Sequence, residues 1–196
     1  QHQEHRAGST KKYYMKKWII GSLVGAILVF GWQTLSWTML GLHNDAAQQH
    51  PQQDVLLEAI TSTTTEEGSY MIPTLAPGTS MEEMEKFWKD REGKPWATMI
   101  YHPSHEMDMV MPMIRGFLVD LSLVIILIYL LTLAGTPAAA RIVVGSLAVG
   151  LFTWLWSPYT GHIWFALPWS IIMPDLIDAL VAWGVCGLWL AWWLRR

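Results

Sequence analysis

The run His102-Pro103-Ser104-His105-Glu106-Met107-Asp108-Met109-Val110-Met111-Pro112-Met113 gathers imidazole, carboxylate and thioether groups in one short stretch. Side chains alternate along an extended chain, so His105, Met107, Met109, Met111 and Met113 would share one face. With His102 they offer soft donors that suit Cu(I). Copper handling is one chemistry such a run supports. The competing reading makes the methionines adaptable apolar filler beside a membrane span. No other cofactor is expected.

Asp120 is the second candidate, an acid inside a strongly apolar stretch with Arg115 five residues before it. A charge at bilayer depth costs at least ~2.5 kcal/mol, so Asp120 is expected to pair with Arg115, pair with a partner's base, or carry ions or protons. Asp175 and Asp178 read as first-turn acids of the last apolar stretch, where orphan amides and the positive helix end stabilise them. His43, His50 and His162 read as polar tips at a wet boundary, and no Cys-x-x-Cys-His haem attachment occurs. The sequence has no phosphate-binding glycine loop, no Gly-x-Ser-x-Gly elbow and no His-Glu-x-x-His pair, so catalysis is not expected.

The elements that must position these groups are apolar. With 52% hydrophobic residues, 15% charged residues and 13 tryptophans in 196, the composition suits a small polytopic membrane protein. Four stretches, 18–42, 116–133, 142–156 and 176–194, are the expected transmembrane helices, since a ~30 Å hydrocarbon layer takes roughly 20 helical residues. Gly21 with Gly25, and Ser146 with Gly150, have the small-xxx-small spacing that lets helix backbones approach, and so mark two packing seams. Cys186 is the lone cysteine, which leaves no disulfide within the chain. The aromatic, proline-interrupted segment 158–174 is expected to lie in the outer interface, as a docking surface or as an aromatic belt.

Basic residues place the ends. Lys11, Lys12, Lys16 and Lys17 precede the first span, Arg141 follows the second, and Arg195 and Arg196 follow the fourth, so both termini are expected in the cytoplasm. The tail 1–17 is expected to be cytoplasmic, with residues 1–14 disordered and Met15 the more natural start of an uncleaved signal-anchor. The intervening segment 43–113 carries twelve acids against four bases, net −8, and is expected outside. That balance argues against nucleic acid or an anionic lipid surface as a partner of the segment. Within it, 54–60 is amphipathic, 70–72 and 96–101 read as strands, and Ser80 with Glu83 forms a capping-box signature ahead of a helix running to about Glu92. The remainder, 114–196, holds three further spans. The expected fold class is therefore all-α membrane, with four transmembrane helices and a small extracytoplasmic α+β insert between spans one and two.

Trp32-Gln33-Thr34-Leu35-Ser36-Trp37, then Gly68-Ser69-Tyr70-Met71-Ile72-Pro73, resembles an uncharacterised group of small bacterial multi-span inner-membrane proteins. In those, as here, a basic start leads to an anchor ending in Trp-x-x-x-Ser-Trp and then to an insert with Gly-x-Tyr-x-x-Pro. The resemblance covers about the first half of the chain. It implies a bacterial inner-membrane setting and carries no activity or site residues. The expected function is a non-catalytic accessory or interaction subunit of a larger inner-membrane assembly, respiratory or photosynthetic in kind, with the lipid bilayer and other membrane subunits as partners. Copper handling through 102–113 and a small transporter using Asp120 are the alternatives.

Overall fold

The computed structural model describes residues 2–133, 135 and 137–196, with side chains from residue 15 onward. Four of its helices are long and apolar enough to cross a membrane: Met15–Thr38, Val110–Thr132, Ala139–Phe165 and Trp169–Trp193. These fit a multi-pass membrane protein. Their outward faces carry large apolar side chains, among them Leu118, Val119, Ile126, Phe152, Trp156 and Leu188, each more than half exposed. Contiguous apolar surface of this kind is scarce on soluble monomers and normal against lipid.

Helix α1 spans His2–Thr38. The segment 1–14, expected to be disordered, is therefore helical from His2, with Gln1 outside the described residues. Helix nucleation is costly while propagation adds one hydrogen bond per residue, so a long apolar helix extends readily into a polar tail. At its other end α1 stops at Thr38, short of the expected 42, and the chain turns at Gly41 with φ 64°. A single 3-10 turn, Asn44–Ala46, follows.

Two compact units divide the rest. One comprises the chain up to Gln48 together with Asp108–Arg196; the other is Gln49–Met107. The second holds α2, Gln53–Thr63, and β1, Gly68–Ile72, then α3, Met81–Arg91, and β2, Ala97–Tyr101. The strands pair antiparallel from Gly68↔Tyr101 to Ile72↔Ala97, giving the small α+β arrangement the sequence suggested. Ser80 Oγ accepts from the Glu83 amide while the Glu83 carboxylate accepts from the Ser80 amide, which starts α3 in register. That reciprocal bond holds the Glu83 carboxyl below its ordinary range.

In the helical unit, α4 spans Val110–Thr132, beginning six residues before the expected 116. Asp108 Oδ1 accepts the Val110 amide at 2.9 Å, and Pro112 falls in the first turn, where its missing N–H breaks no helix bond. Helix α5, Ala139–Trp154, continues through a π turn, Leu155–Tyr159, which accommodates Pro158, into α6, Thr160–Phe165. The segment 158–174 is accordingly not one stretch. Its first half completes the third long helix, the chain breaks at Ala166 with φ 52°, and α7, Trp169–Trp193, starts behind Pro168.

Helix α1 packs antiparallel on both α4 and α7, and α7 packs antiparallel on α5. The seam with α7 is stitched by Trp193 Nε1 donating to the Lys17 carbonyl, Trp189 Nε1 to the Gly21 carbonyl and Trp32 Nε1 to Asp178. Gly25 lets side chains of both α4 and α7 approach the α1 backbone. A Cβ there would lie 2.8 Å from Val124 and 3.2 Å from Cys186. Val124, Leu127, Ile128, Cys186 and Leu190 form the fully buried centre at this level. Helices α4 and α7 both pack on α1 and do not pack along each other.

Candidate ligand cleft between the first, second and fourth long helices

Between them lies a cavity of about 780 Å³ floored by α1, walled by α4 and α7 and touched by α5 at Thr153. It runs from Thr38 and Met109 at the helix ends to Leu123 and Ala182, where the core closes it. Most of its wall is apolar: Phe30, Trp37, Met109, Met113, Leu123 and Trp183. Three carboxylates interrupt this wall, Asp120, Asp175 and Asp178, and no lysine or arginine among the described residues lines it.

Asp120 lies at the middle of α4, the eleventh of 23 residues, because that helix starts early. It is 4% exposed. Gln33 Nε2 donates to its Oδ1 over a long 3.4 Å, and its Oδ2 is buried with no hydrogen-bond partner among the described residues. A buried acceptor left unmatched costs on the order of 1–3 kcal/mol, more when charged, so this oxygen is a place where a donor is missing. Arg115 does not supply it. Its side chain is exposed and forms no ion pair among the described residues, so the pairing suggested by sequence proximity is corrected. Five residues turn a helix by about 500°, which puts the two side chains on different faces.

Asp178 is satisfied, and by groups the sequence reading passed over. His43 Nε2 lies 2.9 Å from its Oδ2, and Trp32 Nε1 donates to its Oδ1 at 3.0 Å. His43 is buried, not a wet polar tip, and its ring stacks on Trp37 at 3.9 Å between centroids with a 7° tilt. The short turn after Thr38 carries His43 back onto α7. Asp175 and Asp178 are not first-turn acids either: they are the seventh and tenth residues of α7, beyond reach of the orphan amides. They sit three apart, on one face, and that face borders the cleft. An acid pair at helical spacing in an apolar stretch was the signal available. Placing the start of the helix at 176 concealed it.

The histidine and methionine run is divided by the same early start. His102 to Met107 belong to one unit, and Met109 to Met113 to the other. From Val110 the backbone is helical, so Met111 and Met113, two apart, no longer share a face as they would in a strand. His102 Nδ1 lies 3.3 Å from Glu67 Oε1, both exposed, and Met107 is 83% exposed. Met109 and Met113, four apart, do converge on the cleft wall. The single alternating face of His105, Met107, Met109, Met111 and Met113 is therefore corrected, because a helix replaces the extended chain it required.

The small-residue seams are occupied within the chain. A Cβ at Gly21 would lie 3.1 Å from Trp193, and one at Gly150 would lie 2.6 Å from the Ala179 carbonyl. Ser146 is fully buried and lies where a Cβ on Gly187 would fall, at 2.8 Å.

No protein family, curated protein or solved structure matches the chain.

Proposed function

We propose that this chain is a multi-pass protein of a bacterial inner membrane that binds a cation in its carboxylate-lined cleft and passes it across the bilayer, with no covalent chemistry. One observation carries the reading: Asp120, at mid-length of an apolar helix, borders a cavity with an unpartnered, buried carboxylate oxygen. Charged groups at such depth are costly and line ion or substrate pathways. Asp175 and Asp178 add negative potential from the facing helix, and low-dielectric walls focus it on a cation. Basic residues at both ends of the chain support cytoplasmic termini, an orientation in which the Thr38 end of the cleft lies outside.

This reading replaces the accessory subunit as the leading one for a physical reason. Gly21, Gly25, Ser146 and Gly150, the small-residue packing seams, are spent on contacts inside the chain and so offer no seam to a neighbouring subunit. Copper loses support with the common methionine face.

Proteoliposomes holding the purified chain, challenged outside with sodium, potassium and alkylammonium chlorides, test the proposal through charge displacement on a solid-supported membrane. Asp120→Asn should reduce the signal at least about tenfold while leaving the size-exclusion profile unchanged. A full signal from folded Asp120→Asn would overturn the reading. A chain that runs only in stoichiometric complex with another protein, and shows no Asp120-dependent signal alone, restores the accessory subunit.

A further inference from the structure

We infer that the cleft selects a protonated amine with an apolar body, an organic ammonium, rather than a bare metal ion. The inference rests on the cation reading above and adds to it the class of cation. Three features of the cavity point the same way.

Size is the first. At about 780 Å³ the cavity lies within the range of sites that enclose drug-sized molecules, and far exceeds what a dehydrated sodium or potassium ion fills. A metal ion in this space would need several oxygen ligands drawn in around it, and no group of three or more His, Cys, Asp or Glu side chains able to hold one occurs among the described residues.

The wall is the second. Phe30, Trp37, Trp183, Met109, Met113 and Leu123 offer apolar and aromatic surface that a hydrated ion does not use. An alkyl or aryl body buries against it, and an ammonium near a tryptophan face gains from the ring quadrupole. Methionine thioethers adapt to an irregular guest.

The acceptors are the third. Asp120 Oδ2 is buried and lacks a donor, and the Asp175 side chain accepts no hydrogen bond among the described residues, so these two of the three cleft carboxylates present free acceptor oxygens, while Asp178 is matched by Trp32 and His43. A primary or secondary ammonium supplies such donors, and a carboxylate-to-ammonium bond is charge-assisted. A quaternary ammonium has the charge but no N–H. The cleft therefore ranks a primary ammonium above a quaternary one of similar size, and an arylalkyl ammonium above methylammonium.

Isothermal titration calorimetry on the purified full chain in mild detergent tests this with phenethylammonium, methylammonium, tetraethylammonium and sodium chlorides and with neutral 2-phenylethanol. Phenethylammonium should bind saturably and at least about tenfold more tightly than methylammonium or tetraethylammonium, and 2-phenylethanol should fail to displace it. Asp120→Asn should weaken phenethylammonium by about tenfold or more. Should that variant not fold, Asp175→Asn reads the same dependence from the opposite wall. Sodium binding that depends on Asp120, with none of phenethylammonium, would overturn the inference and leave the cation reading standing. Equal affinity for 2-phenylethanol would also overturn it, showing an apolar pocket indifferent to charge. No binding of any cation to the folded chain would remove both.

Discussion

At the scale of single residues, two carboxylates of the helical unit meet opposite fates. Asp178 has both oxygens matched, by Trp32 and by a stacked, buried His43, whereas Asp120 has one long bond and one bare oxygen. Matching marks Asp178 as an architectural group that ties the turn after α1 to α7. Its removal should then be felt as stability. His43→Ala leaves Asp178 with a single donor and takes away the stack on Trp37, and is expected to cost roughly 1–3 kcal/mol. A thermal scan of the detergent-solubilised protein should show a clearly lower Tm for His43→Ala, and an unchanged Tm would mean the pair contributes nothing. Asp120→Asn, by contrast, keeps the side-chain shape and is expected to leave Tm unaltered or higher while binding falls. The contrast separates a residue that holds the fold from one that waits for a ligand.

Elements owe their placement to a few small contacts. The α5–α7 seam depends on Gly150, where any Cβ meets the Ala179 backbone carbonyl, an atom that cannot rotate away. Gly150→Val is expected to destabilise by about 1–3 kcal/mol through this overlap, read as a lower Tm or as loss of monodispersity. Gly31→Ala meets nothing within 4 Å and should be silent in the same assay. In the insert, α3 is started by the Ser80 and Glu83 box. Because the folded-state pKa of Glu83 is lowered, its contribution is complete above the unfolded value of 4.5 and is lost as pH falls through the lower folded value. Protection factors of the first-turn amides of α3, corrected for the intrinsic slowing of exchange in acid, should therefore fall on acidification, and Ser80→Ala should show low protection at neutral pH. Identical protection of the two proteins at pH 7 would count against the cap.

For the molecule as a whole, orientation is open to a clean test because the single cysteine is buried at 0% exposure. Thr61→Cys, in the exposed insert helix, and Arg196→Cys, at the far end, each introduce one accessible thiol. A membrane-impermeant maleimide applied to intact spheroplasts should label the first and spare the second until lysis. The reverse pattern would invert the topology and place the Thr38 end of the cleft in the cytoplasm.

Four apolar helices, the capped helix and the paired strands of the insert were legible because each is written locally. Hydrophobic length marks a span, a serine three residues before a glutamate marks a cap, and β-branched or aromatic runs mark strands. Helix ends were less so. Hydrophobic length alone set the expected starts at 116 and 176, yet Pro112 fits in a first turn and Pro174 removes a single donor inside a long helix, so α4 and α7 both begin earlier. Those few residues decided the site. They moved Asp120 to mid-helix, placed Asp175 and Asp178 beyond the first turn, and split the methionine face.

What the linear chain determined by itself was composition, element type and the presence of an acid in an oily stretch. Which acids face one another was decided only by packing. His43 and Asp178 are 135 residues apart and Gln33 and Asp120 are 87 apart, and nothing local records that α1 lies between α4 and α7. The cleft exists because α4 and α7 both pack on α1 and not along each other, and that arrangement is a property of three helices at once.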